Sequence, residues 1–210
     1  MRMSRAETKE RNRRALLDAA LHRVTRDGHR ARLDEIAAEA GLTTGAVYSL
    51  FGSKNGLLMA LVADYLEPFY EEMRQAVPAG ADLLGAVEAF ARYYWRTCED
   101  PDARAAVALQ ISLLDMALRD SELGERFATS VRAQEEQLIA LFTGRAREGG
   151  SVTPGQAQRL ATALRALFVG LSQGVALGLA HGVDEQYFAD AARALAANAS
   201  FLGQGRDTAP

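Results

Sequence analysis

The sequence predicts an all-α fold, with a small N-terminal helix-turn-helix unit and a larger C-terminal helical domain. Three observations carry this. Apolar residues recur at three- and four-residue spacing along most of the chain, and the two-residue alternation of a half-buried strand is absent. Glycine and proline interrupt that pattern in only a few places. Between Arg32 and Phe51, two short helices are joined by a tight turn and must pack at a steep angle.

The elements follow in order. Leu17, Ala20, Leu21 and Val24 mark an amphipathic helix over 9–26. Leu33, Ile36, Ala37 and Ala40 give a short helix over 33–40, which Gly41 ends. A second short helix covers about 44–50. Ser53 is the expected N-cap of a helix running to about Ala76. Its inner stripe is Leu57, Leu58, Leu61, Val62 and Tyr65, and Pro68 is expected to kink or split it. The segment Val77-Pro-Ala-Gly-Ala-Asp82 reads as a linker. Helices at about 82–98, 102–119 and 122–148 follow, and Gly149-Gly150-Ser151 breaks the chain. Long helices at 154–181 and 185–202 complete a set of nine or ten, with no strand. The expected domains are 1–52 and 53–203, with a disordered tail at 204–210.

Composition narrows the chemistry. A chain of 210 residues, 49% hydrophobic and 24% charged, can build a core without disulfides or structural metal. Cys98 is the only cysteine, which excludes an internal disulfide and a multi-thiolate zinc site. His22, His29 and His181 lack helical metal spacing, so no metal and no other cofactor is expected. The opening MRMSRAETKERNRR is polar and predicts neither a signal peptide nor a lipid anchor. The run from Leu164 to Ala180 is too short and too interrupted to span a membrane. A cytoplasmic protein is the expectation.

The net charge of −3 is unevenly spread. Residues 1–54 hold 11 Lys+Arg against 7 Asp+Glu, and residues 55–210 hold 13 against 20. A basic N-terminal quarter on an acidic body fits a local polyanion-binding module.

The segment RLDEIAAEAGLTTGAVYSLF fits a helix-turn-helix position by position. Ala37 is small where the helices cross, and Gly41 takes the turn. Ile36, Ala40, Leu42, Val47 and Leu50 lock the pair together and onto the first helix. The outer face of the second helix presents Thr43, Thr44, Gly45, Tyr48 and Ser49. These are hydrogen-bonding groups without negative charge, suited to a major groove. Thr43 also suits an N-cap.

The stretch AGLTTGAVYSLFGSKNGLL resembles the DNA-binding domain of the TetR (tetracycline-repressor-like) family of transcriptional regulators. Gly41, Thr43, Gly45, Tyr48, Phe51, Ser53 and Lys54 match its pattern, and the match covers about residues 10–62. The resemblance implies that Tyr48 and Lys54 contact DNA phosphates. It also implies that Thr43, Thr44, Gly45 and Ser49 face bases or backbone. The loop from Gly28 to Leu33 reads one residue shorter than the family form. Arg32 stands where Thr or Ser commonly precedes the second helix, and could reach phosphate itself. His29 replaces an aromatic.

A reading head of this size covers too few base pairs alone, so a homodimer on two operator half-sites is expected. Ala166, Gly170, Gly174, Gly178 and Gly182 recur every fourth residue, a ridge that permits close helix approach. With Phe168, Leu171 and Leu195 they are the candidate dimer residues, and the resemblance implies a four-helix bundle there. Among the large residues of the middle helices, Tyr94, Trp95, Gln110 and Met116 are the candidate contacts for a small, largely apolar effector. Core packing explains each of them equally well.

The leading reading is therefore a ligand-responsive, sequence-specific repressor released from its operator by a small molecule. A helical enzyme would need a nucleophile–base pair or clustered ligands, and neither is present; Glu135-Glu136 has no partner histidine. An interaction module with a vestigial helix-turn-helix is the remaining alternative.

Overall fold

The computed structural model describes residues 4–198, without the side chains of residues 65–67. The helices are α1 Arg5–Asp27, α2 Leu33–Glu39, α3 Thr44–Phe51, α4 Lys54–Ala76, α5 Leu83–Glu99, α6 Ala103–Arg119, α7 Ser121–Phe142, α8 Pro154–Ala176 and α9 Glu185–Ala197. A 3-10 turn, Gly28–Arg30, precedes α2. The Tyr65 side chain, the expected end of the last helix at 202 and the 204–210 tail lie outside the described residues.

Local chemistry sets most boundaries. α1 starts earlier than its apolar stripe because Ser4 and Glu7 form a reciprocal capping box. Ser53 Oγ accepts from the Gly56 amide at 2.9 Å and opens α4. Asp82, Thr153 and Asp184 cap α5, α8 and α9 in the same way, and Pro154 occupies the first turn of α8. Pro68 does not split α4, which runs through it as one element.

Two expectations fail at helix ends. α7 stops at Phe142, not 148. The chain leaves it into a two-residue antiparallel hairpin, β1 (Ala146–Arg147) with β2 (Gly150–Ser151), pairing Ala146 with Ser151 and Arg147 with Gly150. Hydrogen bonds from Gly144 to Val152 and from Val152 to Arg145 extend that ladder, so the expected break is a small strand pair. α8 stops at Ala176, not 181. Gly178 adopts a left-handed φ of 68°, and the Leu179 amide returns to the Gly174 carbonyl at 2.8 Å.

The chain packs as two compact units, each with its own core. One comprises residues 4–68 and 108–130, so the unit carrying α2 and α3 extends well past residue 52. Its core joins Leu16, Leu17, Ala20 and Val24 of α1 to Ile36, Ala37 and Val47. Leu57, Leu58 and Leu61 of α4, and Leu109, Leu113, Met116 and Leu123 of α6 and α7, complete it. The other comprises residues 69–107 and 131–198. Its core is strongly aromatic: Phe168 lies 5.3 Å from Phe90, 5.0 Å from Tyr94 and 5.5 Å from Phe188, centroid to centroid. The division cuts α4 at Pro68 and also passes through α6 and α7, so these three helices contribute to both units.

Candidate nucleic-acid interface

The α2–α3 corner is built by backbone and core together. Gly41 takes a φ of 67°, and the Leu42 amide donates to the Ala37 carbonyl at 2.8 Å. Ile36, Ala37 and Val47 are at most 1% exposed, fixing both helices against α1 and α4. The start of α4 is equally constrained. A Cβ on Gly56 would stand 2.0 Å from the Phe51 carbonyl oxygen, so only glycine fits there.

Charge clamps α2 to α1. Arg23 binds Glu39, its Nη1 lies 3.5 Å from Glu35, and His22 Nδ1 meets Glu39 as well. Hydrogen bonds from His22 and then Arg23 hold the Glu39 carboxyl below the usual glutamate range. Two further contacts anchor this unit: His29 Nδ1 to Asp115 at 3.2 Å, and Asn55 to Asp120 at 3.2 Å.

With its inner side fixed, α3 presents one continuous outer stripe. Gly45, Tyr48 and Ser49 are exposed, Tyr48 to 57%, and Thr44 is half-buried beside them. Thr43 is exposed and caps the helix, its Oγ1 accepting from the Ala46 amide at 3.3 Å. That cap faces the helix N-terminus, where backbone N–H groups and the dipole favour an anion.

The two cationic candidates both hold partners within the chain. Arg32 is exposed, but its guanidinium forks onto Asp34 at 3.1 and 2.9 Å. Lys54 is half-buried, and its ammonium donates to the Ala31 carbonyl at 2.6 Å. Burial lowers its pKa. Lys54 thus ties the start of α4 to the residue before Arg32, with two N–H donors left over. The sequence reading overlooked other cations. Arg5, Lys9 and Arg30 are exposed and form no ion pair among the described residues. Arg30 lies two residues from Arg32 in the GHRAR run, the signal that could have found it.

The remaining candidates separate. Tyr94 and Trp95 belong to the aromatic unit, Trp95 packing 5.3 Å from Phe188. Gln110 belongs to the other unit, and Met116 is buried in that unit's core, so the four do not share one core. Of the dimer candidates, Phe168 is fully buried and Gly178 lies in the turn after α8, so neither stands on an exposed helix face. A Cβ on Gly174 would meet Ala180 Cβ of the same chain at 3.2 Å, which accounts for that glycine within one molecule. Gly170 is exposed with nothing near it, and Leu171 and Leu195 are half-buried. Cys98 is also half-buried, and burial pushes its thiol up to about 11, as befits a packing residue. An open groove of about 700 Å3, lined by Arg74, Gln137 and Arg145 among others, includes none of the candidates. Arg145 pins its rim, donating to the Pro78, Ala81 and Leu141 carbonyls.

Comparison with known proteins now decides the family. Residues 16–61 match the model for bacterial regulatory proteins of the tetR family. Residues 94–199, half the chain, match that for the C-terminal part of BetI-type transcriptional repressors. The chain belongs to the tetR family. Members of this family are DNA-binding regulators of transcription and are not enzymes. The HTH-type transcriptional regulator BetI of Rhizobium meliloti (strain 1021) is 30% identical over 128 residues, which make up 60% of this chain and 62% of that relative. The match thus spans less than two thirds of the relative's length. Salmonella enterica GusR superposes with a TM-score of 0.71 at 18% identity, covering 92% of this chain and 96% of its own. A TetR-family member from Streptomyces coelicolor A3 gives 0.67 at 24% identity, covering 88% and 98%. At these identities the structures establish the shared fold. Among the described residues, no single helix is long and apolar enough to cross a membrane.

Proposed function

We propose that this tetR-family chain is a cytoplasmic homodimeric repressor that reads an operator of two half-sites and leaves it when a small, largely apolar molecule binds. The observation that carries the reading is the outer stripe of α3. Thr44, Gly45, Tyr48 and Ser49 stand together on a helix whose other side is locked into a core, with no carboxylate among them. Thr43, Tyr48 and Arg30 position the helix on phosphates, and Thr44, Gly45 and Ser49 approach base edges. Arg32 joins them once DNA phosphate competes with Asp34, and Lys54 contributes its two free donors.

The dimer forms through the outer faces of α8 and α9. Exposed Gly170 lies on α8, and Leu171 and Leu195 edge the same surface. Leu177, Leu179 and Tyr187 are 58, 72 and 49% exposed nearby in the chain. The effector binds in the aromatic unit, against Tyr94 and Trp95. Its signal reaches the reading head through α4, α6 and α7, which all run from one unit into the other.

A gel shift with genomic fragments at two salt concentrations tests the reading. A repressor gives a sequence-selective shift that weakens steeply with salt. An interaction module with a vestigial helix-turn-helix gives no selective shift at either concentration.

A further inference from the structure

One charged group inside the aromatic unit has no partner. Arg165 of α8 is half-buried, one turn before fully buried Phe168. Its Nε is shut off from solvent and makes no hydrogen bond, and its guanidinium forms no ion pair among the described residues. A buried charged donor without an acceptor is costly and uncommon, so its presence calls for a reason.

The neighbours define what Arg165 faces. Thr162, one turn earlier on the same side of α8, donates to Glu135 of α7. Gln134, the adjacent residue of α7, accepts from the Tyr70 hydroxyl of α4 at 3.5 Å, the outer limit of a hydrogen bond. Arg165 and Tyr70 thus converge on one turn of α7. Burial pushes the Tyr70 hydroxyl up to about 12, and the Arg165 charge reaches it. Tyr70 is therefore a neutral donor at physiological pH. Its ring stands edge-on to Phe69 at 5.2 Å, and Phe69 stands edge-on to Tyr94 at 5.6 Å. The two donors lie at the margin of the aromatic cluster.

We propose that Arg165 and Tyr70 form the acid-binding end of the effector site, which takes a monocarboxylate whose apolar body lies against Tyr94. This rests on the effector reading above and names its chemical class. The planar guanidinium matches the two carboxylate oxygens, and Tyr70 supplies a further donor by giving up its long contact with Gln134. One guanidinium balances one negative charge. With Glu135 close by, a dianion such as phosphate would bring a surplus of negative charge.

The test is the melting temperature of the full chain with phenylacetate, cinnamate and octanoate, each against its primary amide, and with inorganic phosphate. At least one acid should raise melting where its amide and phosphate do not. Arg165→Met should weaken that acid about tenfold or more, the worth of a charged hydrogen bond. Tyr70→Phe should weaken it several-fold. Without ligand, Arg165→Met should melt no lower than the parent, because the stem volume is kept and a stranded donor is removed. The proposal is overturned if no acid outperforms its amide, or if Arg165→Met binds the acid as well as the parent. It is equally overturned if ligand-free Arg165→Met melts several degrees lower, which would make Arg165 a structural group. An acid that binds through Arg165 yet leaves operator binding unchanged supports the site and removes the release mechanism alone.

Discussion

Tyr48 and Lys54 look alike as phosphate ligands in the sequence, yet the structure gives them different physical situations. Tyr48 is 57% exposed, with its ring projecting from α3. Tyr48→Phe should keep the melting temperature and weaken binding to every DNA sequence. The neutral hydroxyl displaces no counterion, so the salt dependence should stay unchanged. Normal binding of this variant at roughly physiological ionic strength would remove Tyr48 from the interface. Lys54 holds the Ala31 carbonyl, so Lys54→Ala loses a structural bond as well as a charge. A charged hydrogen bond that is partly solvated contributes about 1 kcal/mol, so melting should fall by about 2–4 °C. Unchanged melting would show that the bond is idle in solution. Glu39 gives a pH signature. Its carboxyl is held below its ordinary value of 4.5 by His22 and Arg23, so its stabilising effect is complete above that value. The effect is lost as pH falls through the lowered value. The stability gap between the protein and Glu39→Gln should therefore be constant well above pH 4.5 and close in acid. A gap that persists in acid would mean that the charge clamp is not its source.

Helix by helix, the account turns on which face each element buries. Gly170 and Gly174 look equivalent in the small-residue repeat, but Gly174 faces Ala180 of its own chain and Gly170 faces open space. Gly170→Leu should therefore fold normally and weaken the dimer in light scattering. Gly174→Leu should destabilise each chain by the roughly 1–3 kcal/mol typical of overpacking. An intact dimer in Gly170→Leu would move the interface off this face of α8. The same contrast explains what the sequence could reveal. The α2–α3 corner was legible because its constraints are local: Ala37 at the crossing, Gly41 in the turn, Thr43 at the cap. The ends of α7 and α8 were not, since Gly144 and Gly178 sit inside apolar patterns that read as continuing helix. Met116 lies in the core around α2 and α3, which the sequence does not reveal because α6 carries apolar residues on both faces and periodicity alone cannot say which one faces inward. The Lys54 contact with Ala31 spans 23 residues and leaves no local mark.

For the whole molecule, the question is how an event in one unit reaches the other. α4, α6 and α7 belong to both units, so the reading head shares continuous helices with the aromatic unit rather than hanging on a linker. Effector binding and operator binding should then be linked, typically by about 1–3 kcal/mol or 5–150-fold, and reciprocally. An effector found by its effect on melting should bind more weakly to the operator complex than to free protein, by the same factor that it weakens the operator. Equal affinity in both titrations would remove the release mechanism and leave a constitutive DNA-binding dimer. All of this rests on α3 being a sequence reader held in duplicate. Sequencing the duplexes that the purified protein retains from a randomised pool tests that claim directly. The account predicts enrichment of an inverted repeat with half-sites about one helical turn apart, about 10 base pairs, or a multiple of it, and a changed consensus for Ser49→Ala. Retained DNA with no enriched sequence, or a consensus indifferent to Ser49, would contradict it.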